Sequence, residues 1–126
     1  MRPGASMTKD CSMTEARLTV LKGTLEYLVL KTLSGEEALH GFEILEWIGD
    51  ATDQAILVDE GALYPTLHRM ERRGWLSSQW GVSPKGRRAK YYRLTKRGAA
   101  ALARHESGWN RYVAAVAKIA ARAEQG

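Results

Sequence analysis

Residues 59–95 read DEGALYPTLHRMERRGWLSSQWGVSPKGRRAKYYRLT, and this stretch decides the fold. Leu63, Leu67 and Met70 recur at helical spacing, which predicts a helix that begins after an Asp59 N-cap and ends at Gly74. After Gly74 the apolar pattern alternates, which predicts two strands over residues 75–80 (WLSSQW) and 89–94 (AKYYRL). The intervening GVSPKGRR, residues 81–88, carries the glycines and proline of a hairpin loop. The stretch therefore predicts a helix followed by a β-hairpin.

Two further helices are predicted on the N-terminal side of this stretch. The first runs from Leu21 to Leu33. The second runs from about residue 39 to residue 51; we expect it to bury Phe42, Leu45 and Ile48 and to direct the carboxylates of Glu43, Glu46 and Asp50 to solvent. The connector that follows contains an apolar run, residues 55–58, which predicts one brief strand.

A long last helix is predicted from Lys96 to about Ala123, with Thr95 as its N-cap. Its apolar stripe has the mixed spacing of a coiled-coil seam: Leu102, Trp109, Val113, Val116, Ala120 and Ala123. A helix of about 28 residues is about 42 Å long, so part of it projects from so small a domain and needs a partner. A second copy of the chain is the expected partner; a helix folded back on its own core is the alternative.

Three helices followed by a hairpin is the element order of a winged helix-turn-helix. The predicted fold class is mainly α with a small β-hairpin: a winged helix-turn-helix plus a long C-terminal dimerisation helix. The predicted organisation is a flexible N-terminal arm (1–17), a winged helix-turn-helix DNA-binding domain (18–95), and a C-terminal dimerisation helix with its tail (96–126).

The charge is strongly polarised along the chain. Residues 26–60 hold nine acids and one base, whereas residues 65–104 hold eleven bases and one acid, Glu71. A surface this positive favours a polyanionic partner, although a solvated basic surface is the alternative. Projection at 100° per residue from the apolar ridge places Gly61, Pro65, His68 and Arg72 on the outer face of the third helix, flanked by Tyr64 and Arg69. The hairpin adds five bases at and after its tip: Lys85, Arg87, Arg88, Lys90 and Arg93.

Several classes of function are unsupported by the sequence. The chain has 126 residues and a single cysteine, Cys11, which excludes an intramolecular disulfide and a Cys-rich zinc site. It has no apolar stretch of membrane-spanning length and no signal peptide, so we expect a cytoplasmic protein. The three histidines are widely separated, and no HExxH, phosphate-loop or nucleophile–base pattern occurs. We expect no enzymatic activity, no metal and no cofactor.

Motifs in matched order and spacing give the chain a family resemblance. They are Leu21-Lys22-Gly23-Thr24-Leu25, His40-Gly41-Phe42, Gly61-Ala62-Leu63-Tyr64-Pro65 with Leu67 and Glu71, Gly74-Trp75-Leu76, residues 87–95 (RRAKYYRLT) and Gly98. Over residues 21–119 the chain resembles the PadR family of winged-helix transcriptional regulators, and its single last helix is similar to the subgroup with a short C-terminal region. The resemblance implies a dimeric DNA-binding repressor, in which the third helix reads the operator, the hairpin is the wing and the last helix dimerises.

The resemblance also implies roles for individual residues. Tyr64 is expected to touch the DNA backbone or to anchor its helix there, and Gly61 and Ala62 to keep the helix slim for close approach. Wing bases are expected to contact phosphates: Lys85, Arg87, Arg88 and Lys90. Simpler alternatives are that Tyr64 covers the core edge and that Gly61 only eases the helix cap.

Other residues near the wing have their own expected roles. Lys90 has the alternative of pairing with an acid across the hairpin. Position 42 is Phe where many relatives have Tyr, so no hydroxyl is present there to contact phosphate. We expect structural roles for Tyr91 and Tyr92, and core positions for Trp75 and Trp80.

The last helix supplies the predicted dimer interface: Leu102, Trp109, Val113, Val116 and Ala120. Trp109 is also the candidate contact for a flat, apolar small-molecule effector, with simple packing at the interface as the alternative. The predicted function is thus a dimeric, sequence-specific regulator that binds a pseudo-palindromic operator in double-stranded DNA and represses until a small molecule or another signal releases it. The alternative is an effector-sensing or adaptor module whose main partner is a protein, bound through Glu43, Glu46 and Asp50.

Overall fold

Four helices and a three-stranded antiparallel sheet make up residues 23–125, the part of the chain that the computed structural model describes. In chain order the elements are α1 (Leu25–Thr32), β1 (Leu39–His40), α2 (Gly41–Ala51), α3 (Glu60–Arg72), β2 (Leu76–Val82), β3 (Arg88–Leu94) and α4 (Lys96–Gln125). The predicted class, a winged helix-turn-helix followed by a long helix, is confirmed. The predicted arm over residues 1–17 and the predicted helix start at Leu21 lie outside the described residues.

The core lies where the first three helices, the sheet and the start of α4 meet. The predicted ridge of α3 is confirmed, because Leu63, Leu67 and Met70 each have 0% exposed surface. Val29 and Leu30 of α1 are equally buried. Burial of each such side chain stabilises the fold by roughly 1.5–3 kcal/mol. The core therefore fixes which face of α3 remains open to a ligand.

The predicted hairpin is confirmed, and it is joined by a strand that the sequence did not predict. β2 and β3 pair from Leu76↔Leu94 at the base to Val82↔Arg88 at the tip. On the other edge of β3, the two-residue strand β1 pairs through Leu39↔Tyr92 and His40↔Tyr91. The chain preceding α2 is thus hydrogen-bonded to the hairpin.

The prediction that Phe42 is buried is wrong. Its side chain is 48% exposed, and Ile44 is buried in its place with 0% exposed surface. The predicted burial of Ile48 is confirmed, at 2% exposed surface. Phe42 lies at helical spacing from Leu45, and Ile44 lies at helical spacing from Ile48, so the sequence pattern alone does not choose between Phe42 and Ile44. The chain enters α2 directly from the sheet, and this entry turns the Phe42 side chain toward the hairpin. Leu45 is partly buried against the core, and Glu46 and Asp50 face solvent as predicted.

The connector between α2 and α3 is irregular, and the brief strand predicted at residues 55–58 does not form. The backbone reverses at Asp53 and Gln54, which have φ values of 53° and 67°. Ile56 and Val58 still pack against the core. The connector thus buries its apolar residues without pairing to the sheet.

The long last helix begins as predicted. The backbone N–H of Gly98 donates to the Thr95 hydroxyl at 3.0 Å, which caps α4. The helix runs for 30 residues, or about 45 Å. Ala101 is buried and Leu102 packs against the core, but every residue from 110 to 124 is exposed. The second half of α4 therefore extends away from the rest of the chain.

Candidate nucleic-acid interface

The outer face of α3 presents every helix position that the sequence placed there. Gly61, Ala62, Tyr64, Pro65, His68, Arg69 and Arg72 are all exposed. Between them, Leu63, Thr66, Leu67 and Met70 are buried. Arg69 is positioned by a 3.0 Å hydrogen bond that it donates to the Thr66 hydroxyl. The helix therefore offers a polar face on a rigid apolar support, which is what entry into a major groove requires.

Tyr64 connects α3 to the start of α2. A β-carbon added at Gly41 would lie 2.5 Å from the Tyr64 hydroxyl oxygen, so the ring packs directly over that glycine. Burial, together with the nearby negative charge of Glu60, raises the pKa of Tyr64. The side chain nevertheless remains 39% exposed. Tyr64 thus both braces two helices and shows part of its ring to the outer face.

The hairpin tip, residues 83–87, carries cations that no described acid neutralises. Lys85, Arg87 and Arg88 are exposed, and none of them takes part in the ion pairs found in residues 23–125. The tip turns tightly, with Ser83 N–H donating to the Arg87 carbonyl at 2.7 Å and Gly86 at a φ of 81°. The compact turn and the first residue of β3, Arg88, therefore display three positive charges that form no ion pair within the described residues.

Lys90 lies farther from the tip and is paired. Its ammonium is 3.1 Å from the carboxylate of Glu71 on α3, which also accepts a 2.5 Å hydrogen bond from the Ser78 hydroxyl. The hydrogen bond from Ser78 and the contacts with Lys90 lower the pKa of Glu71, and the same pairing raises the pKa of Lys90. The phosphate contact expected of Lys90 stays a prediction. Lys90 does pair with an acid, but that acid lies on α3 and not across the hairpin as the alternative had it. This pairing fixes the hairpin against α3.

His40 links the hairpin to α2. Its Nδ1 accepts a 3.4 Å hydrogen bond from the Glu43 backbone N–H, and the Glu43 carboxylate accepts one of 3.1 Å from the His40 backbone N–H. This reciprocal pair is a capping box. The His40 ring also meets Tyr91 edge-to-face, with centroids 5.2 Å apart. The start of α2 is therefore rigidly tied to β3.

A groove of about 710 Å³ lies between α2, α3 and the hairpin, and it contains aromatic residues that sequence reasoning missed. Trp80 was expected in the core, but it is 56% exposed. The expectation is wrong because only the start of β2, at Leu76, packs against the helices. Trp80 lies four residues closer to the hairpin tip, where no helix covers the strand. Trp75 does pack against the core, and Tyr92 is buried as expected. The position of Trp80 beside the loop was the one signal that it would be exposed.

A second aromatic cluster joins α4 to α1. Tyr27 and Trp109 stack with centroids 6.4 Å apart, and Tyr112 lies 6.2 Å from Trp109. Next to them, the Glu106 carboxylate accepts hydrogen bonds from Tyr27 at 3.2 Å and Lys31 at 2.9 Å. Glu106 thus interrupts the apolar stripe because it pairs with α1.

The predicted interface residues of α4 fall into two groups. Leu102 packs against its own core and Trp109 is half-buried, whereas Val113 and Val116 are each 44% exposed and Ala120 is exposed. Tyr112 and Ile119 extend this apolar face, with 60% and 70% exposed surface, although the predicted seam omitted them. Their spacing of three from Trp109 and Val116 was the available signal.

Residues 23–125 contain neither a metal-binding cluster nor a membrane-spanning helix. No group of three or more His, Cys, Asp or Glu side chains there is arranged to hold a metal ion. No helix in that part of the chain combines the length and apolar character needed to cross a membrane.

Comparison with known proteins gives concordant matches. The family model described as "Transcriptional regulator PadR-like family" matches residues 29–104. A PadR-like transcription factor from Bacteroides fragilis has 30% sequence identity and a TM-score of 0.62, with coverage of 86% of this chain and 96% of that one. A PadR-like transcriptional regulator from Bacillus cereus has 28% identity and a TM-score of 0.66, covering 78% of this chain and 92% of that one.

Two further proteins are similar. A transcriptional regulator from Clostridium thermocellum has 26% identity and a TM-score of 0.68, over 77% of this chain and 93% of its own. An uncharacterized protein from Lysinibacillus sphaericus is 28% identical over 93 residues, which are 74% of this chain and 84% of that protein.

Proposed function

This chain belongs to the PadR-like family of transcriptional regulators, and on that premise we propose that it is a homodimeric, sequence-specific DNA-binding repressor released by a small molecule or another signal. The outer face of α3 reads bases in the major groove, and the hairpin acts as a wing that contacts the neighbouring backbone and minor groove. The family consists of transcriptional regulators, and the proposal assigns no catalytic step to this member.

The observation that carries this proposal is a set of five exposed cations on α3 and the wing that form no ion pair within residues 23–125. Arg69 and Arg72 on α3 and Lys85, Arg87 and Arg88 on the wing are exposed and unpaired with any acid among the described residues. Two other cations of this segment are paired with acids: Lys90 with Glu71 at 3.1 Å and Arg73 with Glu26 at 3.2 Å. Free cations beside a polar helix are suited to phosphates flanking a base-reading element.

The exposed half of α4 supports the homodimer. Its apolar side chains project about 20 Å beyond the last contact with the body, and an apolar stripe of this kind is stable in water when a second helix covers it. A second copy brings an identical stripe, and two-fold symmetry then presents two α3–wing units to the DNA. The bound operator is a pseudo-palindrome with half-site centres about 10 bp apart or a multiple of that spacing.

Release by an effector is assigned to the cluster around Trp109. Tyr27, Trp109 and Tyr112 form a row of rings beside the proposed interface. A flat apolar molecule inserted among these rings changes the packing of α4 and thereby the spacing of the two reading units. Quenching of tryptophan fluorescence by such a molecule, abolished in Trp109→Phe, is the expected sign of binding.

The central experiment measures DNA affinity as a function of salt. Sequences bound by the full chain are first selected from random duplex DNA, and one selected duplex is then titrated by fluorescence anisotropy at several NaCl concentrations. We expect log affinity to fall linearly with log [NaCl], and Arg87→Ala and Arg88→Ala each to reduce the slope by about 0.9. Arg111→Ala is the matched control, because it removes the same charge from an exposed position on α4.

The outcomes separate the proposal from its alternatives. A complex whose affinity does not change with salt, or equal slopes for the Arg87, Arg88 and Arg111 variants, would contradict it.

The competing function is a protein-binding module that uses Glu43, Glu46 and Asp50. Two of these carboxylates already accept hydrogen bonds within the chain, Glu43 from His40 and Asp50 from Gln54. Capture of a basic protein at unchanged affinity by the wing variants would favour that function.

A further inference from the structure

Three large aromatic side chains are exposed in one groove beside α3. Phe42, Tyr64 and Trp80 are 48%, 39% and 56% exposed, and all three line the groove between α2, α3 and the wing. They come from three separate elements, so no local sequence pattern accounts for their convergence. A cluster of exposed rings in a concave surface is typical of a binding site.

The charge of this groove selects an anionic occupant. The Arg88 guanidinium lies 4.5 Å from the centroid of Trp80, and the Lys85 ammonium lies 5.9 Å from the centroid of Phe42. The two carboxylates that line the groove belong to Glu43 and Glu46. Glu43 is already used in the capping box of α2. Two of the groove's rings, Trp80 and Phe42, thus each have a cation beside them.

The geometry of duplex DNA says what passes through this space. Neighbouring major and minor grooves are separated by one sugar–phosphate strand. If α3 lies in the major groove and the wing follows the adjacent minor groove, that strand must run between the helix and the wing. The aromatic groove occupies this position. A sugar–phosphate strand also matches this pairing of rings with cations, because it joins each relatively apolar deoxyribose to a charged phosphate.

We infer that the groove holds one sugar–phosphate strand of the duplex, with the Trp80 and Phe42 rings against deoxyribose and with Arg88 and Lys85 on the flanking phosphates. Trp80 is then a DNA-contact residue that supplies affinity without supplying charge. In the free chain its ring holds the Arg88 guanidinium at the edge of the groove. This inference rests on the proposed function, because it requires α3 and the wing to bind adjacent grooves.

The test compares two tryptophans that differ only in location. Trp80 and Trp47 are 56% and 47% exposed, and Trp47 does not line the groove. We expect Trp80→Ala to weaken binding of the selected duplex roughly 5- to 30-fold at every NaCl concentration. The slope of log affinity against log [NaCl] stays at the wild-type value, because no phosphate contact is lost. Trp47→Ala binds within about twofold of wild type, and both variants keep the wild-type Tm because neither ring is in the core.

Two results with a DNA-binding wild-type protein would overturn the inference and leave the proposed function standing. The first is wild-type affinity of Trp80→Ala. The second is a slope reduced as much as in Arg88→Ala, because Trp80 would then act only by positioning that arginine. A third result, binding of 1-naphthalenesulfonate by the free protein that disappears in Trp80→Ala without any change in duplex affinity, would assign the groove to a small planar anion. Failure of the wild-type protein to bind any duplex would refute the proposed function and this inference together.

Discussion

Replacement of Gly98 by alanine tests how the long helix is attached to the winged domain. A β-carbon at this position would overlap the carbonyl oxygen of Trp75 and would lie 2.8 Å from Cδ1 of Leu94. The backbone on both sides is fixed, since Gly98 N–H donates to the Thr95 hydroxyl and Thr95 N–H donates to the Trp75 carbonyl, each at 3.0 Å. A methyl group can be accommodated there only if α4 moves away from the start of β2.

The magnitude follows from two opposing effects. Alanine is favoured over glycine inside a helix by up to about 1 kcal/mol. Overpacking against a backbone that cannot retreat costs about 1–3 kcal/mol, and the cost lies toward the upper end where the neighbour is a carbonyl rather than a side chain. We therefore expect Gly98→Ala to lower the free energy of unfolding by about 2 kcal/mol. Gly108 is the matched control, because nothing lies within 4 Å of a β-carbon added at that position of the same helix.

Urea denaturation followed by circular dichroism measures the difference at one fixed protein concentration. Gly108→Ala is expected to be more stable than wild type by up to about 1 kcal/mol, so the two variants differ by about 3 kcal/mol. With a denaturant slope of about 2 kcal/mol/M, their midpoints separate by about 1.5 M urea. Coincident midpoints, or a Gly98→Ala midpoint above that of wild type, would show that α4 does not approach Trp75 as closely as described here.

Two other consequences can be measured directly. The hydrogen bond from Ser78 and the pairing with Lys90 lower the pKa of Glu71, so the ionised carboxylate stabilises the fold fully above its ordinary pKa of 4.5 and this stabilisation is lost as pH falls through the folded-state pKa. The Tm of the wild-type protein should therefore exceed that of Glu71→Gln at pH 7, and the difference should disappear in acid. A Tm difference that does not change with pH would contradict this role of Glu71. Val116→Asp places a charge on the exposed apolar face of α4 and is expected to convert the proposed dimer to monomer in sedimentation velocity. Ala114→Asp, about 160° away around the helix, is expected to sediment like the wild-type protein, and equal behaviour of the two variants would refute the proposed interface.

The core-facing parts of the fold were predictable because their signal is local. The ridge of Leu63, Leu67 and Met70 follows from helical spacing alone, and the hairpin follows from the change to alternation after Gly74. The strand β1 was not predictable in this way. It is only two residues long, and its hydrogen-bonding partner, β3, is about 50 residues away in the chain.

The errors at the binding face have the same physical origin. Phe42 fits a helical apolar stripe as well as Ile44 does, and the choice between them depends on the direction from which β1 enters α2. Trp80 continues the alternating apolar pattern that begins at Leu76, but β2 extends past the helices that form the core, so the Trp80 side chain has no core to pack against. The charged residues of α3 and the wing tip were placed correctly because exposure is the default for a cation, whereas the pairing of Lys90 depends on Glu71 from another element.

The continuity of the chain from β3 into α4 has a mechanical consequence. A single residue, Thr95, separates the last residue of the wing strand from a helix of 30 residues. Such a rod is a lever: a tilt of about 5° at its docked end displaces its far end by about 4 Å. In the proposed symmetric dimer, joined at the far ends, a comparable tilt in each rod alters the distance between the two wings by up to about 8 Å, which is about two base-pair steps. In the proposed dimer, small changes in side-chain packing where α4 begins would thereby change the spacing of the two wings relative to their half-sites on the DNA.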